Sequence, residues 1–152
     1  MIPRFIKQAL SGEKITIHGD GSQSRDWLHT YDLARALDLV LHIEDFSKVR
    51  HQVIHIGTGI STSVMDIARL ILAELELAPN HMVHTIDRPG QVQCHISSTS
   101  KAKELLGWEP TIPLDKGLMQ VIRWYIANRD WAKTTYNDII PENIYAELQH
   151  RY

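Results

Sequence analysis

Apolar segments with periods of about 2 and about 3.6 residues alternate along this chain, with glycine-bearing turns between them, so it must build from short strands and helices in alternation. Ile2, Phe5, Ile6, Ala9 and Leu10 share one helical face, and Gly12 stands where a helix C-cap belongs. Ile15-Thr16-Ile17-His18 alternates as a strand, Gly19-Asp20-Gly21-Ser22 redirects the chain, and an extended piece follows from Asp26 to His29. Thr30 is placed to cap a helix in which Leu33, Leu37, Val40 and Leu41 share a face. Leu39 and Ile43 widen that face beyond what a surface helix requires, so the helix wants neighbours on two sides. Val53-Ile54-His55-Ile56 reads as a strand and Gly57-Thr58-Gly59 as a turn. Ser61, Thr62 or Ser63 then caps a helix carrying Val64, Ile67, Ala68, Ile71 and Leu75. Val83 to Ile86 is a further strand, ending in the loop Asp87-Arg88-Pro89-Gly90. Ser98 or Thr99 caps a short helix that stops at Gly107, and Leu114 to Asn128 is a helix with one continuous apolar stripe. Beyond Asp130 the pattern weakens, although Glu142 to Leu148, after Pro141, could form one more exposed helix.

This alternation never becomes the serial βαβαβ of a complete doubly wound sheet, so the expected fold class is an α/β piece rather than a whole enzyme. At 152 residues, 43% apolar and 22% charged, the chain fits one soluble domain with a real core. A net charge of -2, with basic residues scattered among acidic ones, lacks the electrostatic footprint of a nucleic-acid binder. No apolar run approaches the roughly 20 residues needed to span a bilayer, and the first residues carry no apolar core of a secretory signal. A lone cysteine, Cys94, fits the reducing cytoplasm.

Three stretches in order carry a resemblance. The first runs from Pro3-Arg4-Phe5-Ile6 through Gly19-Asp20-Gly21-Ser22-Gln23-Ser24-Arg25-Asp26-Trp27-Leu28-His29 to Asp32, and the second is His55-Ile56-Gly57-Thr58-Gly59. The third is Arg88-Pro89-Gly90 followed by Thr99-Ser100-Lys101-Ala102-Lys103-Glu104-Leu105-Leu106-Gly107-Trp108-Glu109-Pro110. Together they resemble the C-terminal, substrate-binding part of the extended short-chain dehydrogenases/reductases, the NAD-dependent sugar-nucleotide epimerases and dehydratases. The resemblance implies a small mixed lobe over residues 1–128, without most of the Rossmann sheet, and a partly helical or flexible extension over 129–152. It also implies that this lobe holds the nucleotide end of a UDP- or dTDP-sugar. Carried over by position, Arg25 and Arg88 would reach the diphosphate, for which a permanently charged, forked guanidinium is well suited. Thr16, Ile17 and His18 would frame the base, and Gln91 would meet the ribose.

Several positions depart from the family pattern. His18 stands where Tyr or Phe is common; an imidazole still stacks on a base but can become charged, which makes binding pH-sensitive. Gln91 replaces an acid, Ser98 replaces Asp as a helix cap, Tyr31 replaces Asp, and His55 replaces Asn. The family's hydride chemistry uses a Tyr with a Lys four residues on, and no tyrosine here has one: Tyr31 is followed by Arg35 and Tyr125 by Arg129, which read as helix-surface pairs. A dinucleotide fingerprint is also missing. Its nearest imitation, Gly57-x-Gly59-x-x-Thr62, reads more simply as a tight turn and helix cap. No catalytic residue, cofactor site or metal site is therefore expected in this chain, while NAD is expected for the complete family enzyme.

Each sharper reading has a plainer rival. Arg25 and Arg88 could pair with Asp26 and Asp87 on the surface. His81 and His84 read as solvated loop, Trp27, Trp108 and Trp124 as packing, and Cys94 as a buried small hydrophobe. The chain is thus expected to bind a UDP- or dTDP-sugar without catalysing a reaction alone, and to self-associate or pair with a Rossmann-domain partner. The alternative is a stand-alone interaction module with a vestigial nucleotide site. Neither a nucleic acid nor a membrane is expected as a partner.

Overall fold

The computed structural model describes residues 1–128 and Trp131. The expected extension over 129–152, and the helix read after Pro141, lie outside the described residues apart from Trp131. The elements run helix α1 (Ile2–Leu10), strands β1 (Ile15–His18) and β2 (Ser24–Asp26), and helix α2 (Thr30–Leu41). After a single 3-10 turn come strand β3 (Ser61–Ser63), helix α3 (Val64–Glu74), strand β4 (Met82–Thr85), and helices α4 (Ser100–Leu106) and α5 (Leu114–Ala127). This is a mixed α/β lobe with two small sheets. β1 and β4 pair in parallel, from Ile15 opposite Met82 to His18 opposite Thr85. β2 and β3 pair antiparallel, with Arg25 opposite Thr62.

The main core forms where the helical stripes meet the inner face of β1. Phe5, Ile6, Ala9 and Leu10 of α1, Ile15 and Ile17 of β1, Ile67 and Ile71 of α3, and Leu118, Ile122 and Ile126 of α5 are all buried there. Each such large aliphatic side chain contributes about 1.5–3 kcal/mol by leaving water. A smaller cluster joins Ala36, Ala102 and the fully buried Trp108, with Leu28, Ile54, Ile56 and Leu106 against it. Gly107, at φ +62°, ends α4 in the left-handed conformation expected of it. Among the described residues no helix is long and apolar enough to cross a membrane.

Four local expectations need correction. Val53 to Ile56 joins no sheet among the described residues; β2 pairs instead with Ser61–Ser63, where only a helix cap was expected. The alternation over 53–56 has a physical basis, since Ile54 and Ile56 pack on the smaller cluster while Val53 is 72% exposed, but a strand also needs a neighbouring strand. Second, His29 rather than Thr30 caps α2, its Nδ1 accepting from the Tyr31 amide at 3.2 Å. Third, Thr99 occupies the N-cap position of α4 but makes no side-chain cap bond. Fourth, α2 buries Asp32 and Ala36 and leaves its leucine face bare: Leu37 is 58% and Leu41 79% exposed, with Leu33 and Leu39 exposed beside them.

What fixes α2 is a buried carboxylate. Asp32 Oδ2 accepts from the amides of Thr111 at 3.0 Å and Ile112 at 2.9 Å, and Oδ1 accepts from the Thr111 hydroxyl and Arg35, each at 2.8 Å. The Trp108 indole donates to the Asp32 carbonyl at 3.0 Å, so one residue ties the start of α2 to the loop before α5. Burial pushes this carboxyl up, but the bonds from Ile112, Thr111 and Arg35 outweigh it and hold it below the usual carboxylate value. A carboxyl depressed on folding stabilises the fold above its unfolded value, near about 3.9, and loses that contribution as pH falls through the folded one. Asp32→Asn should lower the unfolding free energy in urea by about 2–4 kcal/mol at pH 7, with a smaller loss of stability on acidification than the parent chain.

Candidate functional site

Four elements and one loop converge on a cavity of about 410 Å³. α1 contributes Met1, Arg4 and Phe5, and β1 contributes Thr16 and His18. Gln23, Arg25 and Trp27 come from β2 and its flanks, Val64 from the start of α3, and Arg88 and Gln91 from the loop after β4. Three guanidinium groups line this space and no carboxylate does, in a chain whose net charge is -2. Such a concavity concentrates positive potential and favours an anion.

Local structure explains how each side chain arrives. Gln8 of α1 substitutes for a neighbouring strand beside β1: its Oε1 accepts from the Thr16 amide at 3.2 Å and its Nε2 donates to the Thr16 hydroxyl at 3.0 Å. His18 ends β1 with Nδ1 3.2 Å from the Ile86 carbonyl oxygen and Nε2 3.0 Å from Arg88 Nη2. Gly19 lets the chain turn at φ +64°, and a Cβ there would lie 2.8 Å from Asp87 Cγ, so glycine admits Asp87 against the turn. Arg25 donates from Nη1 to the Ser24 carbonyl at 2.6 Å, which leaves its remaining donors uncommitted to backbone.

The carboxylates next to both arginines are engaged elsewhere. Asp26 Oδ1 accepts from the Thr58 amide at 2.8 Å and hydroxyl at 2.6 Å, while Oδ2 accepts from the amides of Gly59 at 3.0 Å and Ser97 at 3.2 Å. Burial raises this carboxyl, but those bonds from Thr58, Gly59 and Ser97 prevail and hold it below its ordinary value. Asp87 Oδ1 accepts from the Arg88 amide at 2.8 Å and Oδ2 from Gln23 Nε2 at 3.1 Å. Among the described residues neither Arg25 nor Arg88 forms an ion pair, so the surface salt bridges weighed as the plainer reading are not made.

Of the residues named from sequence, Thr16, His18, Arg25, Arg88 and Gln91 line the one cavity. Ile17 does not; its side chain is fully buried in the main core. Arg4, Phe5, Gln23 and Val64 were not anticipated as lining residues, although all but Val64 lie inside the first motif stretch. Trp27 packs partly against the core and donates its indole N–H to the Thr62 carbonyl at 3.1 Å, but it also faces the cavity. His84 lies within β4 rather than in a loop, donating from Nδ1 to the Gly19 carbonyl at 2.8 Å.

The Gly57-x-Gly59 turn does not fit a dinucleotide. The Thr58 and Gly59 amides that would cradle a pyrophosphate already point at the Asp26 carboxylate, which would repel one. A Cβ on Gly57 would lie 2.5 Å from Asp26 Oδ2 and from Ser97 Cβ, so this glycine serves a close approach of protein to protein. Arg35, four residues after Tyr31, bonds Asp32 and the Thr111 hydroxyl and is committed to the α2 anchor.

Comparison with known proteins yields consistent matches. The family model described as GDP-mannose 4,6 dehydratase matches residues 1–121. A dTDP-glucose 4,6-dehydratase of Streptomyces niveus is 31% identical over 131 residues, covering 86% of this chain but 38% of that protein. Among solved structures, dTDP-glucose 4,6-dehydratase of Bacillus anthracis in complex with NAD superposes with a TM-score of 0.79 at 29% identity, over 89% of this chain and 42% of that one. UDP-glucose 4-epimerase of Thermotoga maritima with UDP-glucose gives a TM-score of 0.74 at 32% identity, over 82% and 38%. The chain thus spans about two fifths of the length of these relatives.

Cys94 is exposed rather than buried as expected, and it joins Ser24 through an isolated bridge beside β2. The hydroxyls of Ser24 and Ser61, the latter 3.3 Å from Sγ, hold the thiol below its ordinary value, with the Arg25 charge adding to them. The native chain should therefore take up one equivalent of iodoacetamide without denaturant. In Ser61→Ala the reaction at pH 7 should slow about two- to threefold by intact-mass measurement.

Proposed function

On the premise that the chain belongs to the GDP-mannose 4,6 dehydratase family of extended short-chain dehydrogenases/reductases, we propose that it binds the nucleotide-diphosphate end of a UDP- or dTDP-sugar. The observation that carries this reading is the cavity lined by Arg4, Arg25 and Arg88 without a carboxylate. In the proposed pose Arg25 and Arg88 grip the diphosphate through charge-assisted bonds worth about 1.5–3 kcal/mol each. Thr16 and His18 border the base, with the Ile17 backbone between them, and Gln91 meets a ribose hydroxyl.

In this reading the chain contributes binding rather than hydride transfer. No tyrosine of its sequence has a lysine four residues on, and the one glycine turn of suitable placement is occupied by Asp26. NAD, present in the Bacillus anthracis relative, is accordingly not proposed as a ligand of these residues. The bare leucine face of α2 and the unpaired segment 53–56 support association, either with a second copy or with a chain carrying a Rossmann domain. A cytoplasmic setting suits a chain with one exposed thiol.

Isothermal titration with UDP-glucose and dTDP-glucose should give micromolar binding, weakened about tenfold or more by Arg25→Ala and by Arg88→Ala and unchanged by added NAD. Silence with both ligands would favour the second reading, an interaction module built on the α2 face. Light scattering at high concentration should show a dimer or larger species that Leu37→Glu shifts toward monomer; a monomeric parent chain would refute the association.

A further inference from the structure

The His18 ring touches two groups of fixed hydrogen-bonding sense. The Ile86 carbonyl can only accept, and the Arg88 guanidinium can only donate. The ring is therefore neutral, carrying its proton on Nδ1 and accepting from Arg88 on Nε2. A second proton on the ring would set N–H against N–H across the 3.0 Å contact and add a charge beside Arg88. The Arg88 bond and the second proton exclude each other.

The other charged groups around this ring come from every neighbouring element. α1 brings Arg4 and β2 brings Arg25, both lining the same cavity as His18. β4 and its loop bring His84, bonded to the Gly19 carbonyl, and Asp87, bonded to Gln23 and the Arg88 amide. Asp20, in the turn after β1, lies toward His84 and accepts from the Ser22 amide. In the empty cavity an imidazolium would face three guanidinium groups, with both nearby carboxylates already engaged. A bound dianion reverses that balance.

We propose that His18 is the positioning residue for Arg88, and that anion binding in this cavity is coupled to uptake of one proton by His18. Without ligand, the neutral ring parks Arg88 at the cavity rim. A dianion between Arg25 and Arg88 draws the guanidinium off Nε2, which takes a proton from solvent, and the imidazolium becomes a further cation facing the ligand. One N–H bond forms on Nε2 and one O–H bond of a solvent hydronium breaks, so the ring gains a single positive charge and water is released, with no other covalent change. The complex binds more protons than the free chain, so affinity rises as pH falls through the imidazole range. This rests on the diphosphate reading above and adds which residue takes the proton.

A nucleotide sugar suits the test because its diphosphate diester stays a dianion across the pH range used. Titration calorimetry with UDP-glucose in buffers of different ionisation enthalpy should show affinity falling about tenfold from pH 5.5 to 8, with net proton uptake on binding. His18→Gln, which keeps an acceptor for Arg88 but cannot titrate, should give a flat profile and no proton uptake. A flat profile in the parent chain, or an equal slope in His18→Gln, overturns the coupling. A second arm needs no nucleotide. Imidazole ¹⁵N spectra of the ligand-free chain should show the Nδ1–H form at pH 8, and sulfate should promote His18 protonation in the parent chain but not in Arg88→Ala. An Nε2–H ring, or no response to sulfate, also overturns the coupling. A response to sulfate with none to UDP-glucose leaves the coupling standing and removes the sugar nucleotide as the ligand.

Discussion

The site depends on what its aspartates do. Asp26 and Asp87 each sit next to an arginine in sequence, and either could have neutralised its neighbour. Instead the Asp26 oxygens gather three amides and a hydroxyl from the 58–59 turn and from Ser97, while Asp87 takes the Arg88 amide and the Gln23 side chain. A partly buried carboxylate bonded by several donors gains more than an exposed ion pair gives, since exposed pairs contribute only about 0–1 kcal/mol. The same bonds therefore fasten distant loops to β2 and leave the guanidinium charges uncompensated. That is how a chain with slightly more acidic than basic residues comes to hold a cavity lined by three guanidinium groups and no carboxylate.

The second constraint is the parallel pairing of β1 with β4. A parallel pair requires a long crossover, and here the crossover contains the antiparallel β2–β3 pair and both α2 and α3. That arrangement brings the end of β1, with His18, beside the loop carrying Arg88, and lays β2 with Arg25 along the same space. Two strands alone are marginal in water. This pair is held because Ile15 and Ile17 are buried against α1 and α3, while the Gln8 amide occupies the outer side of Thr16.

Sequence reading recovered elements whose signals are local. The stripes of α1, α3 and α5, the alternation of Ile15 to His18, and Gly107 at the end of α4 each report on their own residues, and periodicity suffices for them. The misses are features that depend on a neighbour. Val53 to Ile56 has the alternation of a strand but no strand beside it, whereas Ser61–Ser63 has no apolar signal and becomes a strand because β2 lies alongside. The width of the α2 stripe was legible, but what would cover Leu37 and Leu41 is not among the described residues. Cys94, with no His or Lys pattern beside it, reads by default as a buried small hydrophobe, whereas it is exposed and bridges Ser24 of β2. In the site, Arg25 and Arg88 were legible as motif residues. The contact between His18 and Arg88 joins positions seventy apart in sequence, and no local pattern encodes it.

That contact explains why an imidazole is a useful neighbour for a guanidinium here. A long, exposed side chain loses affinity for its ligand when it must first be ordered, so an acceptor that orients it lowers the cost of binding. A carboxylate would orient Arg88 equally well, but it would cancel the charge and make an incoming anion compete with an ion pair. A phenyl ring at position 18 would offer the base a larger face and offer Arg88 no acceptor. A neutral imidazole with its Nδ1 proton fixed on the Ile86 carbonyl orients the guanidinium and leaves its full charge facing the cavity. Of these three neighbours it alone can turn from acceptor to cation once an anion arrives, which makes orientation and charge separable properties of one site.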